Sequence, residues 1–294
     1  MTGAVAARLG DGSRLHLQHG PIDLIIGADA APGGDRDRAF AAAVRRFDGL
    51  LEELVAELPL LRAELLPDAP EPRGPVARRM HRAALPHSGA IFVTRMAAVA
   101  GAVADEILAA MLAAEPLHRA YVNNGGDIAL HLANEADYTS AMAGTDGTDL
   151  GRIRIHGGDG IGGIATSGSG GRSLSFGIAD SVTVLARSAA AADVAATLIA
   201  NAVDLPGHPE IRRTPASALQ PDTDLGDRPV VTGVGRLFSS EIDDALSAGA
   251  ARARAMVGKG LIAAAALFLR GEEWLVGRPF QSEIHEREVR YVQG

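Results

Sequence analysis

From Asp35 onward, apolar residues recur at three- and four-residue steps: Phe40, Val44, Phe47, Leu51, Leu54, Val55 and Leu58. That spacing predicts one long amphipathic helix, running until Pro59 disturbs it. Upstream, residues 14–28 (RLHLQHGPIDLIIGA) read as two short strands around His19-Gly20-Pro21, a hairpin start. A second helix is predicted over Thr94 to Ala113, with Ala or Gly on most of its turns. So many small residues imply close approach by a backbone or a ligand, or simply an Ala-rich helix buried against a sheet. From 119 to 187 the pattern shortens to alternating segments separated by Gly, Asn and Asp clusters, which predicts a sheet. Ala189 to Val203 reads as a helix with Ser188 as its N-cap. A polar, Pro-containing loop (205–228) follows, then a short strand, a helix near Glu241 to Met256 and apolar segments at 260–269 and 273–277. Glu283 to Val292 is polar and fits neither period. The Pro-rich 67–75 (PDAPEPRGP) reads as a loop or linker too short to establish a boundary. Strands and helices mixed without strict βαβ alternation favour an α+β fold over a doubly wound parallel one. The expectation is a single domain over 1–294.

Composition narrows the functional classes. A net charge of −8, from 36 acidic and 28 basic residues, lacks the footprint of a nucleic-acid binder. The absence of cysteine excludes disulfides, thiolate-held clusters and a Cys nucleophile. The N-terminal MTGAVAARLGDGSRLHL has no apolar core of signal-peptide length, so a cytoplasmic protein is expected. The most apolar stretch, Ala90 to Ala114, is broken by Arg95, Asp105 and Glu106, and this reads against a membrane span.

Several familiar motifs are missing: no P-loop, no strand–GxGxxG–helix unit, no HExxH and no G-x-S-x-G elbow. Three clusters remain. Asn123-Asn124-Gly125-Gly126-Asp127 contains Asn-Gly, the strongest short signal for a type I′ turn, but a turn at Asn124-Gly125 leaves Gly126 and Asp127 unexplained. Ala165 to Arg172 (ATSGSGGR) follows an apolar strand and reads equally as a phosphate cradle or as a flexible surface loop. Asp193 and Thr197 stand four apart in a predicted helix, about 5–6 Å apart at Cβ, where two oxygens could meet one hard cation such as Mg²⁺. The plainer reading is an Asp favoured near a helix start and a Thr bonding back to its own turn.

Taken in order, N-x-GGD-I, ATSG, SVTV-x-A and AD-x-x-x-T resemble the ApbE superfamily over Tyr121 to Val203, and MAAVAGAVAD (Met96 to Asp105) resembles the helix before them. The best-known members are FAD:protein FMN transferases, magnesium enzymes that move the FMN half of FAD onto a threonine of another protein. The resemblance is closer still to an uncharacterised branch with MAAVAG, NGGDI, TSG, SLSFG-x-AD and AD-x-x-AT segments. It implies an ApbE-like, tunnelling-fold-related arrangement of mixed sheets, with FAD and Mg²⁺ as cofactors. By that resemblance Asn124, Gly125, Gly126 and Asp127 line the nucleotide pocket, and Thr166, Ser167 and Gly168, with Arg172, form its phosphate or flavin wall. Asp193 and Thr197 supply oxygens to Mg²⁺, with a backbone carbonyl near Asp127 as a third ligand. The implied partners are a flavin or nucleotide and an acceptor protein, with a second copy of the chain as a further candidate; no nucleic acid or membrane is implied.

One departure stands out. Where the transferases carry a His and an Asp-Pro-x-Thr-Gly turn, this chain has SGGRSLSFGIAD, with neither His nor Pro. Asp180, Ser173 and Ser175 are the substitutes by position, although a serine is a poor proton acceptor without a base beside it. Three readings follow: a Mg²⁺-dependent flavin-nucleotide transferase or FAD pyrophosphatase; a non-catalytic binder of flavin or another heterocycle; or an unrelated enzyme using His81, Arg95 or Arg172.

Overall fold

The computed structural model describes residues 3–10, 12–143, 149–170, 173–278 and 290–291. The elements begin with β1 (Val5–Leu9), β2 (Arg14–His19), β3 (Ile22–Ala30), α1 (Arg36–Phe47), α2 (Leu50–Ala56), α3 (Leu58–Arg62), α4 (Pro75–Ala84) and α5 (Val99–Ala114). Then come β4 (Leu117–Asn124), β5 (Asp127–Leu132), β6 (Asp137–Ala143), β7 (Asp149–His156), β8 (Gly163–Ser167), β9 (Ser181–Ala186) and α6 (Ala189–Ala202). The chain continues through β10 (Ile211–Pro215), α7 (Ala216–Leu219), β11 (Pro229–Val234), α8 (Ser239–Gly258), β12 (Ala264–Leu269), β13 (Glu272–Gly277) and β14 (Arg290–Tyr291). This is a mixed α+β fold, as the sequence pattern indicates.

The contacts divide the chain into two compact units. The first comprises Met1–Tyr138, His156–Ala165 and Ala186–Val194; the second comprises Thr139–Ile155, Thr166–Leu185 and Ala195–Gly294. The Pro-rich 67–75 segment lies inside the first.

In the first unit the strand order is β1-β2-β3-β4-β5-β8, with each adjacent pair antiparallel. Leu15 pairs with Ile26, Leu17 with Leu24 and Ile26 with Val122, so these buried side chains share one face. Helix α5 packs on β4 and β5 and against α1 and α4. Each large aliphatic residue taken fully out of water here contributes about 1.5–3 kcal/mol.

The single long helix expected from Asp35 is three helices. Asp35 does cap α1, accepting from the N–H groups of Asp37 and Arg38. Extended backbone at Asp48 ends α1, and Gly49, with φ 75, begins α2. Only a residue at ease in the left-handed region turns the chain there, and two of the apolar residues that made the period look continuous, Val44 and Val55, in fact face solvent. Helix α4 was hidden by the Pro-rich segment, whose Pro75 sits in the first turn, where a missing N–H costs nothing. The second predicted helix begins with a 3₁₀ turn, Arg95–Ala98, before α5.

By length and composition Arg95–Ala114 is apolar enough to cross a membrane, contrary to the reading from its charges. Each of those charges nevertheless has partners within the first unit. Arg95 bonds two carbonyls, Asp105 bonds two backbone N–H groups, and Glu106 takes Arg46 and Arg79, each at 2.8 Å.

In the second unit β9 pairs antiparallel with β12, β12 with β13, and β13 parallel with β14, while α8 packs on β12 and β13. Strands β10 and β11 form a separate hairpin.

Candidate functional site

Strands β4 and β5 close on a two-residue turn. Asn124 pairs with Asp127, so the central residues are Gly125 and Gly126, with φ 66 and 116. This corrects the expectation of a turn at Asn124-Gly125. Both central positions lie where only glycine is at ease, which accounts for the second glycine without a ligand. The Asn123 side chain accepts from the Gly126 N–H at 2.8 Å and fixes the turn from inside.

The two residues flanking the turn lead into the fold. Asn124 is buried, and its Nδ2 donates to the Ala100 carbonyl at the start of α5, at 3.1 Å. From α6, Asp193 Oδ2 accepts from the Gly101 N–H at 3.0 Å, and the Ala100 N–H also serves the carboxylate. Burial pushes the Asp193 carboxyl well above the usual range; Asp127 adds like-charge repulsion, the two N–H donors oppose the shift, and Asp105 adds to it. The structure thus brings Asn124 and Asp127, the two ends of one hairpin turn, together with Asp193 of α6 around the first turn of α5.

Glycines set how closely these segments approach. A Cβ on Gly101 would lie 2.3 Å from the Ala189 carbonyl oxygen, and one on Gly163 would lie 2.2 Å from the Ala189 nitrogen. The start of α6 is therefore wedged between α5 and β8, and the small residues of α5 admit a backbone.

The other expected residues have their own settings. Thr197 follows Asp193 by one turn of α6 and is half-buried; the division into units assigns it to the second. Within that second unit, exposed Thr166 bonds Thr183 Oγ1 at 2.9 Å. Ser167 is half-buried, and Gly168 is demanded by the Asp180 carbonyl, which a Cβ would meet at 2.4 Å. Ser173 is exposed. Buried Ser175 donates toward the Gly177 carbonyl at 3.1 Å and toward Asn201 Oδ1 at 3.3 Å, so its hydroxyl braces a loop. Exposed Asp180 accepts from the backbone N–H of Arg270, a residue at φ 52 in the β12–β13 turn. Arg172 lies outside the described residues.

His81 and Arg95, proposed from sequence as alternative catalytic groups, are buried against each other. The fully buried Arg95 donates through Nε to His81 Nδ1 at 3.1 Å and through its terminal nitrogens to the carbonyls of Leu60 (2.8 Å) and Pro70 (2.9 Å). An imidazole accepting at Nδ1 is neutral, with its proton on Nε2. Burial and the adjacent guanidinium both lower the His81 pKa. The pair is a structural staple.

Sequence reasoning missed Gly101 and Asp105 as parts of this constellation. Both stand in the MAAVAGAVAD segment, where the run of small residues was the signal. Among the described residues, no group of three or more His, Cys, Asp and Glu is arranged to hold a metal ion. A cation there would rest on fewer carboxylates, with hydroxyl and carbonyl oxygens completing a hard donor set. The repulsion between Asp193 and Asp127, which a cation would relieve, fits such a guest.

Known proteins resemble the chain at several levels. The model of a family described as AbpE bacteria matches residues 6–275. A UPF0280 protein of Methanothrix thermoacetophila is 38% identical over 187 residues, 62% of this chain and 72% of that protein. Another, from Methanococcus vannielii, is 41% identical over 113 residues, which are 36% of this chain and 44% of its own. Among solved structures, the flavin transferase ApbE from Vibrio cholerae superposes with a TM-score of 0.45 at 14% identity, over 92% of this chain and 97% of that one.

Proposed function

The chain belongs to the AbpE bacteria family, with UPF0280 proteins among its relatives, and on that premise we propose that it handles a flavin nucleotide with Mg²⁺ as its cation. The observation that carries this reading is the Asp193 carboxylate, gathered with Asn124 and Asp127 around the first turn of α5 and raised in pKa by burial and by Asp127. A carboxylate so placed gains from a cation what water no longer supplies. Asp193 would be the side-chain ligand, with the Asp127 region beside it, and the Gly125-Gly126 turn would offer open backbone: nothing lies within 4 Å of a Cβ on Gly126. When bound, Mg²⁺ supplies charge compensation for pyrophosphate oxygens. The chain's own residues hold and orient: the α5 N–H groups aim Asp193, and Asn124 fixes the carbonyl of the same turn.

The reaction proposed is cleavage of the FAD pyrophosphate. Attack by an acceptor hydroxyl gives flavinylated protein and AMP; attack by water gives FMN and AMP. The setting proposed is the cytoplasm. Incubation with FAD and Mg²⁺ is expected to release AMP, followed by chromatography, and Asp193→Asn is expected to abolish the release. AMP release from Asp193→Asn at the native rate would remove the cation from the account.

A second reading, a flavin binder without catalysis, is favoured by one feature. The transferases' His and Asp-Pro-x-Thr-Gly turn are replaced here by SGGRSLSFGIAD, in which Ser175 and Asp180 already bond Asn201 and the Arg270 N–H. FAD that raises the melting temperature equally with and without Mg²⁺, with no AMP formed, would select this reading.

A further inference from the structure

Helices α5 and α6 each lack some of the N-terminal partners their own sequence would normally supply. Helix α5 starts after Ala98, a residue with no side-chain oxygen to cap it. Its first-turn N–H groups, Ala100 and Gly101, go instead to Asp193 of α6. Conversely, the first two N–H groups of α6 go to α5: Ala189 donates to Asp105 Oδ1 and Ala190 to Asp105 Oδ2, both at 2.9 Å. Ala191 donates to the Ser188 hydroxyl at 3.2 Å, and from Ala192, which bonds the Ser188 carbonyl at 3.1 Å, the ordinary helical ladder begins. The first three N–H groups of α6, which no intrahelical carbonyl can reach, are thereby accounted for. The exchange is reciprocal, with each helix lending a carboxylate from its second turn to the other's N-terminus.

We propose that Asp105 is the positioning residue for Asp193: it fixes the start of α6 along the α5 axis, and so fixes where the Asp193 carboxylate stands as a cation ligand. The bidentate geometry is what makes this specific. One oxygen per N–H sets both the height and the rotation of the first turn of α6, and Asp193 sits one turn further along the same helix. Gly101 and Gly163 hold the wedged backbone close enough for the exchange. The inference rests on the Mg²⁺ reading of Asp193 given above.

The test is titration of Mg²⁺ alone into the full chain by calorimetry, with thermal unfolding measured in parallel. Wild type is expected to bind and Asp193→Asn not to. Asp105→Asn, which keeps one acceptor, and Asp105→Ala, which keeps none, are expected to weaken Mg²⁺ binding progressively by about 10- to 100-fold, the usual toll of losing an outer partner of a metal ligand. Glu106→Gln, the adjacent residue, which breaks the pairs to Arg46 and Arg79, separates positioning from stability: it is expected to lower the melting temperature and leave Mg²⁺ affinity unchanged. Should Asp105→Ala not fold, Asp105→Asn against Glu106→Gln decides. Native affinity in the Asp105 variants, or an equal loss in Glu106→Gln, overturns the positioning role while the cation reading stands. No binding by wild type overturns both.

Discussion

Gly101→Ala is expected to unfold the first unit or to leave it too unstable to purify. The added Cβ would lie 2.3 Å from the Ala189 oxygen, 2.4 Å from its carbon and 2.6 Å from the Ala190 nitrogen. These are backbone atoms, so no rotamer change relieves the clash, and the surroundings cannot retreat. Asp105 holds the Ala189 and Ala190 nitrogens, and β8 stands behind them at Gly163. Overpacking a well-filled interior commonly costs 1–3 kcal/mol, and against fixed backbone the cost should exceed about 3 kcal/mol. That is a large share of the 5–15 kcal/mol typical of a folded domain. Gly126→Ala is the contrast: it meets nothing within 4 Å and pays only for φ 116, on the order of 1–2 kcal/mol. Urea unfolding followed by circular dichroism measures both, and equal midpoints for the two variants would refute the wedge.

The second large effect lies in the Arg95–His81 staple. Arg95→Met leaves the Leu60 and Pro70 carbonyls and His81 Nδ1 without their donor, and is expected to destabilise by about 3 kcal/mol, at roughly 1 kcal/mol or more for each buried group left unsatisfied. Arg95→Lys should rescue little, because an ammonium cannot reproduce the guanidinium fork. The same contact sets a pH dependence. His81 is neutral in the fold with its pKa lowered from 6.5, whereas the unfolded chain takes up a proton near 6.5. Between those two values the unfolded state binds more protons, so stability falls as pH drops below about 6.5 and levels off below the folded pKa. His81→Asn, which offers an oxygen near the place of Nδ1 and does not titrate, should flatten that part of the stability curve. A curve equally steep in both proteins would assign the acid sensitivity elsewhere.

Much of this was legible in the residues, and what was not has physical reasons. Alternation and Gly/Asn/Asp punctuation located most strands between 119 and 187, because a half-buried strand writes its period directly into sequence. The Asp35 cap was legible for a similar local reason. The break at Asp48-Gly49 was not, since apolar spacing carries across a single left-handed residue without interruption. Of the expected site residues, Asn124, Asp127 and Asp193 converge because β4, β5 and α6 all meet the first turn of α5. Asn124-Gly125 misplaced the turn by one position, as two adjacent glycines can serve a type I′ turn as well as Asn-Gly does. Asp105 could not be read as a partner of α6 at all: an acidic residue in mid-helix gives no sign that its carboxylate caps another helix 84 residues away.

Crystals grown with FAD and Mn²⁺ in place of Mg²⁺, measured at a wavelength where manganese scatters anomalously, should show one strong peak within about 2.0–2.3 Å of an Asp193 carboxylate oxygen, with the FAD pyrophosphate against the Gly125-Gly126 turn. A peak elsewhere with Asp193 still bonded only to the Gly101 and Ala100 N–H groups, or flavin density remote from that turn, would contradict the proposed function.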